Sequence, residues 1–215
     1  MPGQIPQSPK LFHILHHNKL GTVINSGGLF SDAILAANNP NGTIIGMNKI
    51  KRRRLTELRL SNYPDLYVGQ CVPFYFCPRS VMLYMFWQDN HDEIDYHGGQ
   101  EPIIHLQFDM HRIIAWANQY NVRWAFTSSN AGSRWFQDYN DLRFLNRINW
   151  DVIKANMWRG YKEEKQAEFL LQNSIPWQLV EHIGVYSAQY DRIVNQILNG
   201  AEYKPSISVH RDWYY

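Results

Sequence analysis

Short apolar runs separated by polar turns recur along the whole chain. Runs of about four to eight residues that are rich in β-branched and aromatic side chains are typical of strands. Proline tends to lie at the ends or edges of such strands because it cannot donate a hydrogen bond to a neighbour. On these grounds we predict strands at residues 11–15, 72–80, 103–108, 122–127, 168–174, 179–186 and 206–210.

Apolar positions three and four residues apart predict helices elsewhere in the chain. Leu20, Val23 and Ile24 have this spacing, and Gly27 follows where a helix would end on a left-handed residue. We predict further helices at residues 81–86, 110–118, 136–145, 150–158 and 188–198. Strands and helices alternate irregularly, without a repeated βαβ unit, which favours an α+β fold over a doubly wound parallel sheet.

The length and composition indicate one globular domain. Domains usually contain on the order of 100 to 200 residues. We therefore expect residues 1–215 to form a single domain. The chain is 45% hydrophobic and 14% aromatic, which provides a large core and argues against global disorder. Residues 1–10 carry proline and glycine among polar residues, and we expect a loose N-terminal arm there.

The charge balance restricts any binding of nucleic acid to a local surface. The formal net charge is only +2, so the molecule is not a polycation. Five of the six residues at 49–54 are cationic. Such a run is either a solvated helix face or a phosphate-binding surface, and the sequence leaves both interpretations open.

The sequence lacks the motifs of several common kinds of functional site. The chain contains no dinucleotide-binding glycine motif, P-loop, nucleophile elbow or kinase motif. Cys71 and Cys77 are too far apart along one predicted strand for a disulfide. His13, His16 and His17 lack the companions and spacing of a zinc site, so we expect no metal. Neither a signal-peptide pattern nor a long apolar window is found, and we expect a cytoplasmic protein without a membrane segment.

Two polar residues within apolar runs are candidates for a functional role. Glu168 begins the run at 168–174, where a lone carboxylate is usually a solvent-facing strand residue. His13 lies between apolar neighbours at 11–15, where a core histidine with a backbone partner is the commoner case. From these segments alone, the structural and the functional interpretation of each residue both stay open.

Six blocks of sequence occur in an order that matches one family. They lie at residues 12–29, 49–54, 72–80, 97–103, 165–177 and 211–215. Together they resemble the DarT family of DNA ADP-ribosyltransferase toxins, and the set is similar to its thymidine-modifying branch. Leu15, Lys19 and Val81 depart from the usual family pattern, but no catalytic residue is missing.

The resemblance implies a fold, an activity and partners. The implied fold is the PARP-like ADP-ribosyltransferase fold, with a central antiparallel split sheet and surrounding helices. The implied reaction transfers one ADP-ribosyl group from NAD to ring N3 of thymidine in single-stranded DNA, in a short sequence context, and releases nicotinamide. The resemblance also implies the toxin of a toxin–antitoxin pair, a monomer, whose partner is a macrodomain antitoxin that removes the modification. No metal is implied.

The resemblance also assigns residues to the site. Glu168 and Arg54 are implied to be catalytic, region 30–54 to cover NAD, and the small-residue loop at 128–134 to face DNA. The implied NAD-binding residues are His13, Leu15, Gly28, Leu29, Arg54 and Tyr75. The implied DNA-binding residues are Arg53, Ser129, Asn130, Arg134, Trp150 and Trp158.

The expected chemistry assigns a task to each kind of residue. Positive charge develops on the ribose as nicotinamide leaves, and a carboxylate such as Glu168 stabilises it. Thymine N3 must lose a proton, for which Glu168 is the simplest base, while Arg54 would polarise a carbonyl or hold a phosphate. Aromatic side chains can stack on DNA bases, although their helical spacing makes a core position equally plausible. The stacking candidates are Trp135, Tyr139, Trp150 and Trp158.

Two alternatives remain at this point. A transferase of the same fold could act on guanosine, RNA or protein instead. A catalytically dead module that binds single-stranded DNA would agree with the structural interpretations of His13 and Glu168.

Overall fold

The computed structural model of the protein describes residues 3–38, 48–90 and 94–215. The strands are β1 (Lys10–His16), β2 (Gly28–Phe30), β3 (Cys71–Tyr75), β4 (Ile103–Asp109), β5 (Trp124–Asn130), β6 (Asp138–Tyr139), β7 (Ala167–Gln172), β8 (Ser174–Pro176), β9 (His182–Val185) and β10 (Ser206–Val209). The α-helices are α1 (Leu20–Asn25), α2 (Asp32–Asn38), α3 (Asn48–Thr56), α4 (Val81–Gln88), α5 (Met110–Gln119), α6 (Trp150–Lys154), α7 (Lys162–Lys165) and α8 (Ala188–Leu198). Short 3₁₀ helices lie at His17–Lys19, Val68–Gln70, Leu142–Arg147, Trp177–Leu179 and Arg211–Trp213.

The central eight-stranded sheet is split. Its strand order is β10-β9-β4-β1-β3-β7-β5-β6, and β2 pairs separately with β8. Neighbouring strands are antiparallel except for β9 and β10, which are parallel. β1 pairs with β4 along its whole length but meets β3 only where Phe12 lies opposite Tyr75. The sheet therefore opens between β1 and β3, as the expected split sheet requires.

Helix α5 shows how the apolar pattern builds the core. Met110, Ile113, Ile114 and Ala117 are buried on one face of the helix. The carboxylate of Asp109 caps the helix by accepting a hydrogen bond from the backbone N–H of Arg112 at 3.0 Å. The predictions of helices at 81–86, 110–118 and 188–198 are confirmed by α4, α5 and α8.

Strand β7 lies deep in the sheet. All of its residues from Ala167 to Leu171 are buried. The ring of Phe169 packs between Phe74 of β3 and Trp124 of β5, at centroid distances of 6.2 and 5.8 Å. A charged residue in such a strand needs a polar partner, because an unpaired buried charge is strongly destabilising. Glu168, which is only 4% exposed, is that residue.

The predicted helix at 136–145 is wrong for its first part, while its second part overlaps the 3₁₀ helix Leu142–Arg147. Residues Asp138–Tyr139 form the edge strand β6, which pairs with Phe126 and Thr127 of β5. The buried Asp138 carboxylate accepts backbone N–H bonds from Ser61 and Asn62 at 2.7 and 3.1 Å, which tie this strand to residues 61–62. Tertiary hydrogen bonds thus overrode the local apolar spacing.

Other boundaries also differ from those expected, and the strand predicted at 72–80 ends at Tyr75. Strand β5 continues to Asn130, which pairs with Ala167 after an irregularity in register, so residues 128–130 are strand rather than loop. Helix α6 ends at Lys154 instead of residue 158. The arm expected at residues 1–10 is tied down at its end, since Lys10 belongs to β1 and the Pro9 carbonyl accepts a hydrogen bond from Met110.

Trp150 is a core residue, which corrects its assignment to DNA binding. Its side chain is 1% exposed, and its ring packs edge-on against Phe76 at 5.4 Å. Its indole N–H donates to the Leu145 carbonyl at 2.8 Å. An indole held in this way cannot stack on a base.

Two further expectations concern cysteines and membranes. Cys71 and Cys77 are both free thiols, and burial raises the pKa of Cys71 to about 12. None of the helices within the described ranges is long and apolar enough to cross a membrane.

Replacing Trp150 tests this packing. Trp150→Ala should lower the free energy of unfolding by about 3–5 kcal/mol, because it removes a fully buried ring. Trp150→Phe should cost less, since most of the ring remains, and should leave single-stranded DNA affinity unchanged. Urea denaturation and an oligonucleotide titration measure the two effects. A loss of stability below about 1 kcal/mol for the alanine variant would contradict the core position.

Candidate active site

The candidate site is built around Glu168 on β7, close to the split in the sheet. Glu168 lies directly opposite Tyr75 of β3, so the two side chains project from the same face. Helix α3 brings Arg54 onto the carboxylate, with Nη1 to Oε1 at 3.2 Å and Nη2 to Oε2 at 2.9 Å. The side chains of Arg54 and Glu168 are 13% and 5% exposed. The result is a buried, two-pronged ion pair beside a tyrosine.

The ion pair determines the charge state of its surroundings. Burial by itself lowers the pKa of Arg54, but the charge and hydrogen bonds of Glu168 outweigh it, and the pKa of Arg54 is raised. Burial, and then the charge of Glu168, raise the pKa of the Tyr75 phenol. At neutral pH the site therefore presents a guanidinium ion and a neutral phenol next to the carboxylate.

The backbone at Glu168 is fixed by Thr127. The Glu168 N–H donates to Thr127 Oγ1 at 3.0 Å, and the Thr127 hydroxyl donates to the Ser129 carbonyl at 2.6 Å. Thr127 is fully buried and lies just before the irregular end of β5. The threonine thus holds β7 in place where the regular ladder between the two strands is interrupted.

His13 of β1 provides a neutral imidazole. Its Nδ1 lies 2.9 Å from the Pro73 carbonyl, which can only accept, so Nδ1 carries the proton and Nε2 keeps a lone pair. Burial lowers the pKa of His13 despite this hydrogen bond. The charges of Asp32 and Lys51 also act on the pKa of His13, which places both residues near the ring. His13 can therefore accept a hydrogen bond from a ligand.

The basic run at 49–54 divides between two faces of α3. Lys51 pairs with Asp32 at 3.3 Å, and Arg54, one turn later on the same face, pairs with Glu168. Lys49 and Arg52 are exposed. The solvated-face interpretation therefore holds for Lys49 and Arg52, whereas Lys51 and Arg54 pair with carboxylates, and the phosphate-binding interpretation stays a prediction.

The other residues implied to bind NAD differ in their packing and in the atoms that a ligand could contact. Gly28 of β2 pairs with Pro176, and a Cβ there would collide with the Ile175 carbonyl, so only glycine fits. Leu29 is 5% exposed within the core, so any contact it makes with a ligand involves its backbone. Leu15 is half-buried against the same core.

The region 30–54, expected to cover NAD, is mainly helical where it is described. Asp32–Asn38 form α2 and Asn48–Thr56 form α3. The sequence Asn-Asn-Pro-Asn-Gly at residues 38–42 predicts a turn, but from position 39 onwards it lies outside the described residues, as do all positions up to 47.

The segment at residues 131–137, which we call the β5–β6 segment, packs beside α3. Gly132 is buried, and a Cβ there would lie 3.0 Å from Ile50 Cγ2. Asn130 Oδ1 accepts the Gly132 N–H at 2.8 Å and so shapes the start of the segment. Arg134 is exposed, and Trp135 is 87% exposed. This segment therefore presents a cation and an open aromatic ring next to the helix that carries Arg54.

The remaining DNA-binding candidates have different environments. Ser129 uses its carbonyl to accept the Thr127 hydroxyl, and Arg53 is half-buried on α3 next to Arg54. Trp158 is half-buried: it donates to the Tyr215 hydroxyl at 3.3 Å and packs edge-on against Tyr84. Of the aromatic stacking candidates, Trp135 is the most open to solvent.

Sequence reasoning missed Asp32, Thr127 and Gly132. Asp32 had no signal, because its partner Lys51 was visible only as one of several cations. Thr127 ends a predicted strand, where nothing marks its hydroxyl as a backbone anchor. Gly132 belongs to a run of small residues that was expected to be a loop, and its contact with Ile50 is purely tertiary.

The described ranges 3–38, 48–90 and 94–215 contain no group of three or more His, Cys, Asp or Glu side chains placed to hold a metal ion. The split sheet, the buried glutamate paired with an arginine, and the neutral histidine on β1 define the protein, by class, as an ADP-ribosyltransferase.

Comparison with known proteins identifies the family. The model of the DarT family, described as ssDNA thymidine ADP-ribosyltransferase, matches residues 12–215. A DNA ADP-ribosyl transferase of Thermus aquaticus is 31% identical over 220 residues, which cover 100% of this chain and 94% of the relative. The chain therefore belongs to the DarT family, and the resemblance seen in the sequence is confirmed.

Solved structures agree with this assignment. Thermus sp. 2.9 DarT in complex with ADP-ribosylated ssDNA superposes with a TM-score of 0.82 at 29% identity and covers 100% of both chains. The same protein in complex with NAD⁺ gives a TM-score of 0.80 at 28% identity, over 99% of this chain and 100% of the other. The expected α+β ADP-ribosyltransferase fold is confirmed.

A double-mutant cycle tests the buried ion pair. Arg54→Gln should lower the free energy of unfolding by about 3–5 kcal/mol, because it leaves the Glu168 carboxylate buried without its partner. Glu168→Gln should also destabilise, whereas the double variant should lose at least about 1 kcal/mol less than the sum. Chemical denaturation of all four proteins measures the coupling. Strictly additive losses would show that the two side chains do not interact.

Proposed function

We propose that this protein transfers one ADP-ribosyl group from NAD to N3 of thymidine in single-stranded DNA and releases nicotinamide. Membership of the DarT family supports the donor, the acceptor and the base. The Thermus structures, which contain NAD⁺ and ADP-ribosylated ssDNA, support the same pair of substrates here. The observation that carries the chemistry is the buried Glu168 carboxylate held by Arg54.

Glu168 acts while the bond to nicotinamide breaks. The bond between ribose C1′ and the nicotinamide nitrogen cleaves, nicotinamide leaves with the electron pair, and positive charge spreads over the sugar ring. A fixed carboxylate stabilises this charge most when it is shielded from water, as Glu168 is at 5% side-chain exposure. The fork of Arg54 prevents the carboxylate from rotating away from the ribose.

The acceptor nitrogen must lose its proton before or while it attacks. Thymine N3–H passes its proton to a base, N3 bonds to C1′, and the products are ADP-ribosylated thymidine, nicotinamide and one proton. The raised pKa of Arg54 keeps it a donor at neutral pH, so we assign the role of base to Glu168 and that of an orienting donor to Arg54.

We assign donor binding to Tyr75, which lies opposite Glu168, and to residues of β1 and β2. The neutral imidazole of His13 accepts a hydrogen bond from a hydroxyl or amide group of NAD through Nε2. Tyr75, opposite Glu168, offers a neutral phenol and an aromatic face. Gly28 lets the donor approach the backbone of β2, where a side chain would intrude. Leu15 contributes apolar surface.

Acceptor binding is assigned to the β5–β6 segment and the outer face of α3. Arg134 and Arg53 provide positive charge for the DNA backbone, and Trp135 provides a ring on which a base can stack. Ser129 and Asn130 support this segment by hydrogen bonds of their carbonyl groups. The contact between Gly132 and Ile50 keeps this surface adjacent to Arg54.

We infer that residues 1–215 form one catalytic domain that acts as a monomer, with a macrodomain antitoxin as its partner. Modified thymidine in template DNA blocks replication, so an enzyme of this kind requires a second activity that removes the modification. A DNA substrate also supports the expected cytoplasmic location. Growth that is not restored by co-expression of such a macrodomain would contradict the inferred partner.

Glu168→Gln tests the catalytic assignment. The amide keeps the shape of the side chain but loses its charge and basicity, so nicotinamide release in the presence of thymidine-containing single strands should fall at least about 100-fold. NAD binding by calorimetry should change little. Glu163→Gln is the matched control, since Glu163 is exposed on α7, five residues away. Both variants are assayed well below their melting temperatures, and undiminished turnover would remove Glu168 from the mechanism.

Trp135→Ala tests the DNA surface. Loss of one stacked base should weaken single-stranded DNA binding by about 1–3 kcal/mol, which is roughly 5- to 150-fold in Kd. Trp87→Ala is the control because Trp87 is also an exposed tryptophan, at 47%, but lies on α4. Fluorescence anisotropy with a labelled oligonucleotide measures both. Equal affinities of the two variants would argue against stacking on Trp135.

A further inference from the structure

Two histidines and two serines meet at the β9–β10 edge of the sheet. β9 is separated from β7 by β4, β1 and β3, so at about 4.8 Å per strand this edge lies roughly 19 Å from Glu168. Ser206 and Ser208 alternate along β10, and His210 follows one residue after its end, so the three project from one face. His182 of β9 is in register with Ser206.

Three of these side chains form a small triangle of lone-pair atoms. The Nε2 atoms of His182 and His210 are 3.2 Å apart. Ser208 Oγ lies 3.0 Å from the Nε2 of His182 and 2.9 Å from that of His210. We call this group the His182–Ser208–His210 triangle.

The protons on the two rings are directed away from the triangle. The Ser206 hydroxyl donates to the Glu181 carbonyl at 3.3 Å, so its oxygen accepts from Nδ1 of His182 at 2.7 Å. The Asp212 carboxylate lies 3.6 Å from Nδ1 of His210 and favours a proton there. Both Nε2 atoms therefore face each other with lone pairs.

In these tautomers the Ser208 hydroxyl is the only donor for the three contacts among His182, Ser208 and His210. The Ser208 hydroxyl can donate to only one of the two imidazoles. With both Nε2 atoms unprotonated, as these tautomers have them, two lone pairs repel each other at 3.2 Å, and a cation between them would relieve that repulsion. A cation that binds all three lone pairs satisfies every member of the cluster at once.

The dimensions suit a tetrahedral metal ion. Zinc binds imidazole nitrogen at about 2.0–2.1 Å, so two ligands of a tetrahedral ion are about 3.3 Å apart. The edges of the triangle, 2.9, 3.0 and 3.2 Å, are close to this value. A hydrogen-bond acceptor on the second nitrogen of each ring, as Ser206 and Asp212 provide, is the usual support for metal-bound histidine.

The rings are also held rigidly. The imidazole of His210 stacks on the indole of Trp213 at 3.9 Å and 9°. Trp213 lies so close to Gly184 of β9 that a Cβ at this glycine would collide with the indole ring. An ion bound here would thus connect β9 to the C-terminal segment at 206–215 without a large rearrangement.

We propose that His182, His210 and Ser208 form a binding site for a divalent transition-metal ion of the zinc type, with solvent in the fourth position. The site stabilises the fold at the β9–β10 edge and has no part in the transfer of ADP-ribose. It was not expected from the sequence, because its ligands are 26 and 28 residues apart in the chain and meet only through the parallel pairing.

Titration of the full chain with Zn²⁺ after treatment with EDTA tests the proposal. Calorimetry at neutral pH should show one ion per chain, and the melting temperature should rise with Zn²⁺ until the site is saturated. His182→Gln and His210→Gln should each weaken binding by at least about tenfold. His97→Gln is the matched control, because His97 also has a carboxylate neighbour, Asp89 at 3.0 Å, but forms no hydrogen bond with a second imidazole among the described residues.

A measurement on the unmodified protein tests the proposal even if the histidine variants fail to fold. The imidazole NMR signals of His182 and His210 should shift in proportion to added Zn²⁺ up to one equivalent, with both rings bound through Nε2. Absence of binding, binding that both histidine variants retain, or a shared proton between the two rings in place of the metal would each overturn the proposal.

Discussion

The ion pair between Arg54 and Glu168 is the interaction on which the active site depends. Removing two charges from water is costly, and a buried pair of this kind seldom stabilises a fold more than apolar residues of similar volume. In this protein the role of the pair is to fix the position of the carboxylate. The pair joins α3 to β7, and it holds a carboxylate in one orientation at the face of the sheet that also carries Tyr75.

Helix α3 connects the proposed donor site to the proposed DNA surface. Its inner face carries Arg54 and Lys51, which pair with Glu168 and Asp32, and Ile50 contacts Gly132 of the β5–β6 segment. One helix therefore contacts both the residues proposed to act on the donor and the segment proposed to bind DNA. A shift of α3 would alter the orientation of the carboxylate and the position of the DNA surface together.

The sequence predicted those parts of the molecule in which local pattern and tertiary packing agree. The spacing in α5 and α8 is that of helices with one buried face, and both were located correctly. Trp150 was misassigned because an indole in an apolar pattern is equally compatible with stacking and with burial, and only the contact with Leu145 decides. Glu168 could be recognised through family resemblance, whereas its pairing with Arg54, 114 residues away, required the fold.

Mass spectrometry of an oligonucleotide provides the most direct test of the central claim. A single strand that contains thymidine is incubated with the protein and NAD, and its fragments are sequenced by mass. The account predicts the added mass of one ADP-ribosyl group on the base of a thymidine, and no addition with the Glu168→Gln variant. An adduct on guanosine, or modification of RNA or protein with unmodified DNA, would contradict it.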